Sequence, residues 1–313
     1  MLLSRRQIVL LVMLTLLWGI NWPVMKYSLR ELTPLYFRAL TMTGGCVFLA
    51  AWMFSQHITL KIRWQDFTQI FWLALPNVVG WHMFSILGVQ ELASGRAAIL
   101  GFTMPIWTAL LSVVVLGQRL NFRLWVSIVA AAAAVGLLSF NELTQMSGRP
   151  IGIIWMQIGA FFWGLGTVLF GRIKPKEIPV QTITVWMLAI GSSCFWLMAI
   201  FTEPPPAWHF SGHMWLALAY GIFINFGIAQ LIWFSLASSL PPSASAFSIM
   251  AVPLVGIFSA AAIVHETPHL SDLVAAGCVM IAIASAVLRQ TPEVLKNRKQ
   301  NPPAHSQNPP PES

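Results

Sequence analysis

The chain has 313 residues, of which 57% are hydrophobic and only 9% are charged, and its formal net charge is +8. Ordinary soluble domains carry about 25% charged residues, so this composition excludes a soluble globular protein. It indicates a polytopic membrane protein.

Ten apolar segments approach the roughly 20 residues that a helix needs to cross the hydrocarbon core of a bilayer. In chain order they are residues 7–27, 34–54, 67–89, 92–116, 124–140, 151–173, 178–201, 213–235, 241–264 and 272–288. Arg5 and Arg6 precede the first segment, but no small-residue cleavage site follows it, so we interpret it as a retained span and not as a signal peptide. The sequence therefore predicts an all-α membrane protein with ten transmembrane helices.

The two halves of the chain share a pattern of tryptophan, glycine, polar and proline residues. Trp18-Gly19 recurs 145 residues later as Trp163-Gly164. Three further positions recur 148 residues later, where Asn77, His82 and Pro105 are matched by Asn225, Gln230 and Pro253. With five spans per half, the two halves must cross the membrane in opposite directions. We predict two inverted five-helix repeats, residues 7–140 and 151–288, with a solute bound near the mid-plane where they meet.

Lysine and arginine are divided unequally between the two sides of this predicted bundle. Thirteen of the 18 lie on the side of the N-terminus, namely Arg5, Arg6, Lys61, Arg63, Arg119, Arg123, Arg172, Lys174, Lys176, Arg289, Lys296, Arg298 and Lys299. Because cytoplasmic loops are enriched in basic residues, we predict a cell inner membrane protein with both termini in the cytoplasm. The net charge then reflects topology and does not indicate a nucleic-acid partner. Residues 289–313 are predicted to form a disordered cytoplasmic tail.

Three motifs carry a family resemblance. They are residues 18–26, residues 94–100 leading to Pro105, and residues 243–246 leading to Pro253 and Glu266. In their order, spacing and duplication they resemble the EamA domains of the drug/metabolite transporter superfamily, over nearly all of residues 7–288. The resemblance implies a central cavity lined by spans one, three, four, six, eight and nine, and an exporter of amino acids or other small metabolites. Gln118 departs from the glutamate that is usual in the family's first repeat, which we interpret as the loss of a structural loop contact.

The acidic residues constrain the coupling mechanism, because none of the ten lies near the middle of a predicted span. Small multidrug pumps of the same superfamily use a membrane-buried glutamate to exchange protons for lipophilic cations, and a charge at that depth is costly. Its absence argues against a pump of that design and favours a neutral, zwitterionic or anionic solute. His82 is the span residue that would titrate near neutral pH, so proton coupling would require His82 or groups at the cavity mouths.

Polar and aromatic residues inside the spans are the candidate solute contacts. We predict this role for Asn21, Trp22, His82, Phe102, Trp163, Gln230 and Trp233. His82 and Gln230 each follow an asparagine by five residues, which on a helix separates the two side chains by about 140°. One member of each pair is therefore predicted to line the cavity and the other to contact a neighbouring helix. For the aromatic residues, the alternative is packing between helices, which is the commoner role of Trp and Phe at helical spacing.

Four further residues are candidates for conformational roles. Lys26 and Arg38 lie near the outward ends of the first two spans and are predicted to act in gating or in charge pairing. The alternative is that their charged groups simply extend to the membrane interface. Pro105 and Pro253 are predicted to bend the fourth and ninth spans and to act as hinges.

The sequence thus predicts a secondary transporter that works by alternating access, with a small-molecule solute and the lipid bilayer as its partners. The cysteines Cys46, Cys194 and Cys278 have no metal-ligand spacing, and no cofactor or metal is predicted. Two alternatives from other classes are a membrane-embedded enzyme and a channel or sensor. The enzyme is disfavoured because no histidine has a carboxylate partner at mid-span. The sequence does not indicate an oligomeric state.

Overall fold

The computed structural model describes residues 4–117, 122–145, 149–239 and 250–287. Its helices are α1 Arg5–Ser28, α2 Pro34–Ser55, α3 Trp64–Ala74, α4 Trp81–Glu91, α5 Ser94–Gly101, α6 Met104–Leu116, α7 Phe122–Gln145, α8 Ile151–Ile173, α9 Val180–Thr202, α10 Gly212–Ala219, α11 Ala229–Ser239, α12 Val252–Ile263 and α13 Leu270–Val287. Two π-helical segments, Leu75–Gly80 and Tyr220–Ile228, join α3 to α4 and α10 to α11. The third span therefore consists of α3, a π-helical segment and α4, and the eighth span consists of α10, a π-helical segment and α11.

Eight spans within the described residues are long and apolar enough to cross a membrane, and the shorter apolar helices α12 and α13 complete a set of ten. The predicted all-α polytopic fold is confirmed. The predicted span boundaries lie within a few residues of the observed ones wherever both ends are described. The start of the ninth span, Gln118 and the tail 289–313 lie outside the described residues.

Helix contacts follow the pattern of a pseudo-twofold arrangement between the halves. The second span packs against the seventh (α2 with α9), and the fifth against the tenth (α7 with α13). The first span packs against the ninth (α1 with α12), and the sixth packs against the fourth (α8 with α6). If each span is replaced by its equivalent in the other half, the second–seventh and fifth–tenth pairs stay the same. The first–ninth pair then becomes the sixth–fourth pair, which is also observed. Such an exchange is expected when two repeats are inverted with respect to each other.

The repeated Trp-Gly dipeptides explain two of these equivalent interfaces. A Cβ atom added at Gly164 would lie 2.8 Å from the backbone nitrogen of Thr108 in α6, and one added at Gly19 would lie 3.3 Å from that of Gly256 in α12. Thr108 and Gly256 are themselves 148 residues apart. Both glycines thus permit the close approach of two helix backbones, which is the usual role of small residues in membrane bundles.

Large apolar side chains cover the outside of the bundle. Phe54, Val114, Phe140 and Phe201 are each more than 60% exposed, and Trp72 is 58% exposed. Exposed apolar surface of this extent is unfavourable in water but favourable against lipid tails. The surface therefore agrees with the composition in placing the bundle in a bilayer.

Candidate substrate site

Four aromatic rings from four spans form a cluster inside the bundle. Trp22 of α1 lies 6.3 Å from Trp81 of α4 and 6.4 Å from Phe102, which follows α5. Trp163 of α8 lies 4.5 Å from Trp81 and 6.2 Å from Phe102. These ring-centroid distances are typical of aromatic pairs in contact. The four residues are hereafter called the aromatic cluster. Trp22, Phe102 and Trp163 were predicted from the sequence as solute contacts, whereas Trp81 was not.

The amide of Gln157 forms hydrogen bonds to the segment that follows the cluster residue Phe102, and sequence reasoning missed it. Gln157 of α8 accepts hydrogen bonds through Oε1 from Trp107 Nε1 at 3.1 Å and from Thr103 Oγ1 at 3.3 Å. Thr103 directly follows Phe102 of the cluster. An amide within an apolar helix is the signal that could have identified Gln157, because amides inside membrane spans find polar partners on neighbouring helices.

The two repeated asparagines lie within the two π-helical segments. Asn77 belongs to Leu75–Gly80 and Asn225 to Tyr220–Ile228. Asn77 Nδ2 donates to the carbonyl oxygen of Leu73 at 2.9 Å, so its hydrogen bond remains within its own span. π-helical turns are rare and occur frequently at functional sites. The two π-helical segments occupy equivalent positions in the third and eighth spans, which are the middle spans of the two halves.

Arg38 is a buried cation with neutral partners. Its side chain enters from α2, is 2% exposed as a residue, and donates through Nη2 to Ser85 Oγ at 3.2 Å and to Met25 Sδ at 3.0 Å. Its Nε has no hydrogen-bond partner among the described residues, and the salt bridges found there do not include Arg38. Removing a guanidinium from water is costly unless a carboxylate compensates for it.

His82 lies one helical turn before Ser85 and next to Trp81. Its ring centroid is 5.3 Å from that of Phe226 and 6.2 Å from that of Trp81. The ring is partly exposed, but its Nδ1 atom is buried and has no partner among the described residues. His82 thus connects the aromatic cluster to Ser85 and Arg38.

The remaining predicted contact residues occupy different surroundings. Trp233 of α11 packs against Trp18 at 5.6 Å, within a separate apolar cluster that includes Leu14 and Leu236. Asn21 and Gln230 are half-buried. The structure therefore brings Trp22, Phe102 and Trp163 together and places Trp233 elsewhere.

Lys26 forms three hydrogen bonds at one end of the bundle. Its Nζ atom donates to the carbonyl oxygens of Val89, Gln90 and Leu92 at 2.8, 2.9 and 2.8 Å. These carbonyls lie at the C-terminus of α4, where a cation interacts favourably with the helix dipole. Lys26 and Arg38 accordingly have different sets of partners.

The same end of the bundle contains most of the acidic residues and is hereafter called the carboxylate end. It is formed by the connections after α1, α4, α7, α9 and α12, and carries Glu31, Glu91, Glu142, Glu203, Glu266 and Asp272. Glu31, Glu203 and Glu266 each bind the N-terminus of a helix from the other half of the chain, as helix dipoles favour.

Glu266 and Glu203 provide two such caps. Glu266 accepts from Ser94 N at 2.8 Å, from Ser94 Oγ at 3.0 Å and from Gly95 N at 3.2 Å, all at the start of α5. Glu203 accepts from Leu35 N at 3.0 Å and Tyr36 N at 3.1 Å in the first turn of α2. Each contact joins the second half of the chain to the first.

Two further carboxylate contacts complete this end. Arg96 of α5 pairs with Asp272 at 2.8 Å and with Glu142, and all three residues are buried. Glu31 accepts from Ser211 Oγ at 2.5 Å and Ser211 N at 2.9 Å, and these hydrogen bonds lower the pKa of Glu31. The carboxylate end is therefore closed by polar contacts between the halves.

The predicted hinge prolines have equivalent local structures. Pro105 is the second residue of α6, and Pro253 is the second residue of α12. The residues before these helices, Thr103 and Ala251, have ψ angles of −8° and −9°. A proline lacks a backbone N–H and is tolerated in the first helical turn, so each helix begins there.

Known proteins resemble this chain along its whole described length. The model of the EamA-like transporter family matches residues 5–140 and 150–288. The chain is 23% identical to the uncharacterized transporter YoaV of Bacillus subtilis (strain 168), over 82% of this chain and 88% of that one. It is 25% identical to the uncharacterized inner membrane transporter YedA of Escherichia coli (strain K12), over 88% of each. A crystal structure with 18% identity covers 96% of this chain with a TM-score of 0.63 and supports the same fold.

Proposed function

The chain belongs to the EamA-like transporter family, and from this premise we propose that it exports amino acids or related small metabolites across the cell inner membrane. It is a multi-pass membrane transporter. We propose that it works as a secondary transporter, by alternating access at a central cavity between two inverted repeats, residues 7–140 and 151–288.

The aromatic cluster is the observation on which the proposed substrate site rests. It draws rings from the first, third, fourth and sixth spans, and His82 lies beside Trp81. Gln157 contacts Thr103, the residue after Phe102. Ligand sites are typically apolar with a few convergent polar groups. A small solute with an apolar side chain and a polar head group fits this combination. We include Asn21, Gln230 and Trp233 as further contacts made in other states of the cycle.

The carboxylate end supports an alternating mechanism, because its contacts join the halves and could break together. Glu266 at α5 and Glu203 at α2 are the principal contacts of this kind. We propose that this end faces the outside and opens when these carboxylates leave the helix N-termini. Lys26 and Arg38 act as gating or charge-pairing residues near it, and Pro105 and Pro253 are the hinges of the fourth and ninth spans.

The acidic residues favour a mechanism without proton antiport. In the described ranges, every aspartate and glutamate lies in a connection or within four residues of a helix end. A buried mid-span carboxylate is the group that a proton-exchanging pump would retain. We therefore propose facilitated diffusion or exchange, in which the solute gradient sets the flux.

Counterflow in proteoliposomes tests this proposal against a channel and an enzyme. Vesicles containing the purified protein are loaded with unlabelled common L-amino acids and diluted into the labelled pool. A transporter accumulates label transiently against its gradient, a channel only equilibrates it, and an enzyme changes it chemically. Equilibration without an overshoot, or a chemically altered pool, would refute the proposed transport function.

A further inference from the structure

Arg38 stands apart from the other cations inside the bundle. Arg96 is paired with Asp272 and Glu142, and Lys26 is held by three carbonyl oxygens at the end of α4. Arg38 is as deeply buried as Arg96, but its hydrogen-bond acceptors are a hydroxyl and a thioether. Neither acceptor carries a negative charge.

Stability alone does not account for such a residue. A buried charge without a counter-charge destabilises the fold, and an apolar side chain of similar volume is commonly as stable or more stable at such a position. Ionisable residues inside membrane spans usually face a partner or a transport pathway. The described residues provide no carboxylate for Arg38, which leaves a bound anion as the candidate counter-charge.

The surroundings of Arg38 lead to the aromatic cluster. Ser85 contacts the guanidinium, His82 lies one turn earlier on α4, and Trp81 precedes His82. The buried Nδ1 of His82 has no partner among the described residues, and neither does Arg38 Nε. A chain of contacts thus leads from the cation Arg38 through the hydroxyl of Ser85 and the residue His82 to the ring of Trp81.

We propose that Arg38 is the counter-charge for a carboxylate group on the transported solute. Ser85 and His82 complete its hydrogen bonding, and the aromatic cluster receives the solute's apolar side chain. Guanidinium is well suited to this role because its planar N–H groups match a carboxylate in a bidentate geometry. The contacts to Ser85 Oγ and Met25 Sδ occupy the guanidinium in the described state and are exchanged for the carboxylate when the site opens. The inference rests on the proposed function and narrows it to carboxylate-bearing solutes.

The same charge would discriminate against other solutes. An amino acid amide has the same side chain as its parent acid but lacks the carboxylate, and it is cationic when its amine is protonated. With the amide bound, the desolvated guanidinium of Arg38 would remain unpaired and would repel the cationic solute. Sites with buried polar groups reject analogues that cannot pair with them far more strongly than apolar pockets reject a missing methylene.

The test compares counterflow of the common L-amino acids with that of their carboxamides in proteoliposomes. We expect wild-type protein to transport the acids at least roughly tenfold faster than the amides. Arg38→Met should reduce acid transport by a similar factor and bring the ratio close to one, while Arg38→Lys should retain part of the preference. Arg30→Met is the matched control, since Arg30 is an exposed arginine in the connection between α1 and α2 and lies over the ring of Tyr27.

Unfolding measurements separate a binding role from a structural one. Because Arg38 has neutral partners, Arg38→Met should retain or raise the melting temperature of the detergent-solubilised protein. If the variant does not fold, the ligand-induced rise in melting temperature of wild-type protein decides the question, with the acids expected to stabilise it and the amides not. Equal transport or equal stabilisation by acids and amides would overturn the inference while leaving the transport function intact. Transport of neither class would overturn the proposed function itself.

Discussion

Replacing Glu266 should lower the free energy of unfolding, because it removes hydrogen bonds that join the two halves at the carboxylate end. The carboxylate accepts hydrogen bonds from Ser94 N, Ser94 Oγ and Gly95 N at the N-terminus of α5. A hydrogen bond to a charged group contributes about 1.5–3 kcal/mol, but such contributions are not additive. Glu266 is partly exposed, so water replaces some of the lost bonds. We therefore expect Glu266→Ala to cost about 2–3 kcal/mol, and Glu266→Gln about 1 kcal/mol, because the amide keeps one acceptor oxygen but loses the charge.

Thermal unfolding of the detergent-solubilised protein measures this difference. A loss of about 2–3 kcal/mol corresponds to a fall in melting temperature of roughly 3–5 °C for a chain of 313 residues. Glu177→Ala is the control, because the Glu177 side chain is 81% exposed and makes an ion pair with Arg63 at 3.4 Å. Exposed pairs contribute about 0–1 kcal/mol, so the control should unfold close to wild type. If Glu266→Ala and Glu177→Ala unfold at the same temperature, Glu266 does not stabilise the contact between the two halves.

Three further predictions concern transport and topology. His82→Ala and Gln230→Ala should each reduce solute flux per folded protein by roughly tenfold; near-normal flux in both would identify them as packing residues. In a cysteine-free background, a cysteine at Lys174 should react with a membrane-impermeant thiol reagent only after the cells are opened, whereas one at Pro205 should react in intact cells; the reverse pattern would invert the proposed orientation. Flux into liposomes should be similar with and without an imposed pH gradient, and protonophore-sensitive uphill accumulation would instead establish proton coupling, with its loss in His82→Ala identifying the carrier.

The elements of the fold were predictable because membrane spans are determined by local composition. Each span must satisfy its backbone internally and present about 20 apolar residues, so its limits can be located in the sequence. The recurrence of Trp18-Gly19 as Trp163-Gly164 was visible in the sequence, and the structure places both glycines where two helix backbones approach closely. The π-helical segments were not predictable. Pro76 disrupts the bonding of the third span, but no proline is present in Tyr220–Ile228.

The substrate site was predictable in its residue types but not in its pairings. Trp22, Phe102 and Trp163 could be chosen as aromatic residues inside spans, whereas the hydrogen bonds of Gln157 to Thr103 and Trp107 join residues 54 and 50 positions apart and could not be predicted. The cap of Glu266 on Ser94 spans 172 residues. The neutral surroundings of Arg38 likewise emerge from the contact of α2 with α1 and α4, which no local pattern determines. Contacts between distant segments require the folded arrangement.

Paired tryptophan variants in the counterflow assay test whether the aromatic cluster belongs to the transport site. Trp81 lies in the cluster, whereas Trp72 is nine residues earlier in the same span and is 58% exposed on the outside of the bundle. Wild-type protein and Trp72→Ala should both accumulate labelled amino acids transiently against their gradient. Trp81→Ala, at the same amount of folded protein, should lose this accumulation. Full accumulation by Trp81→Ala, or equal loss in both variants, would contradict the assignment of the site.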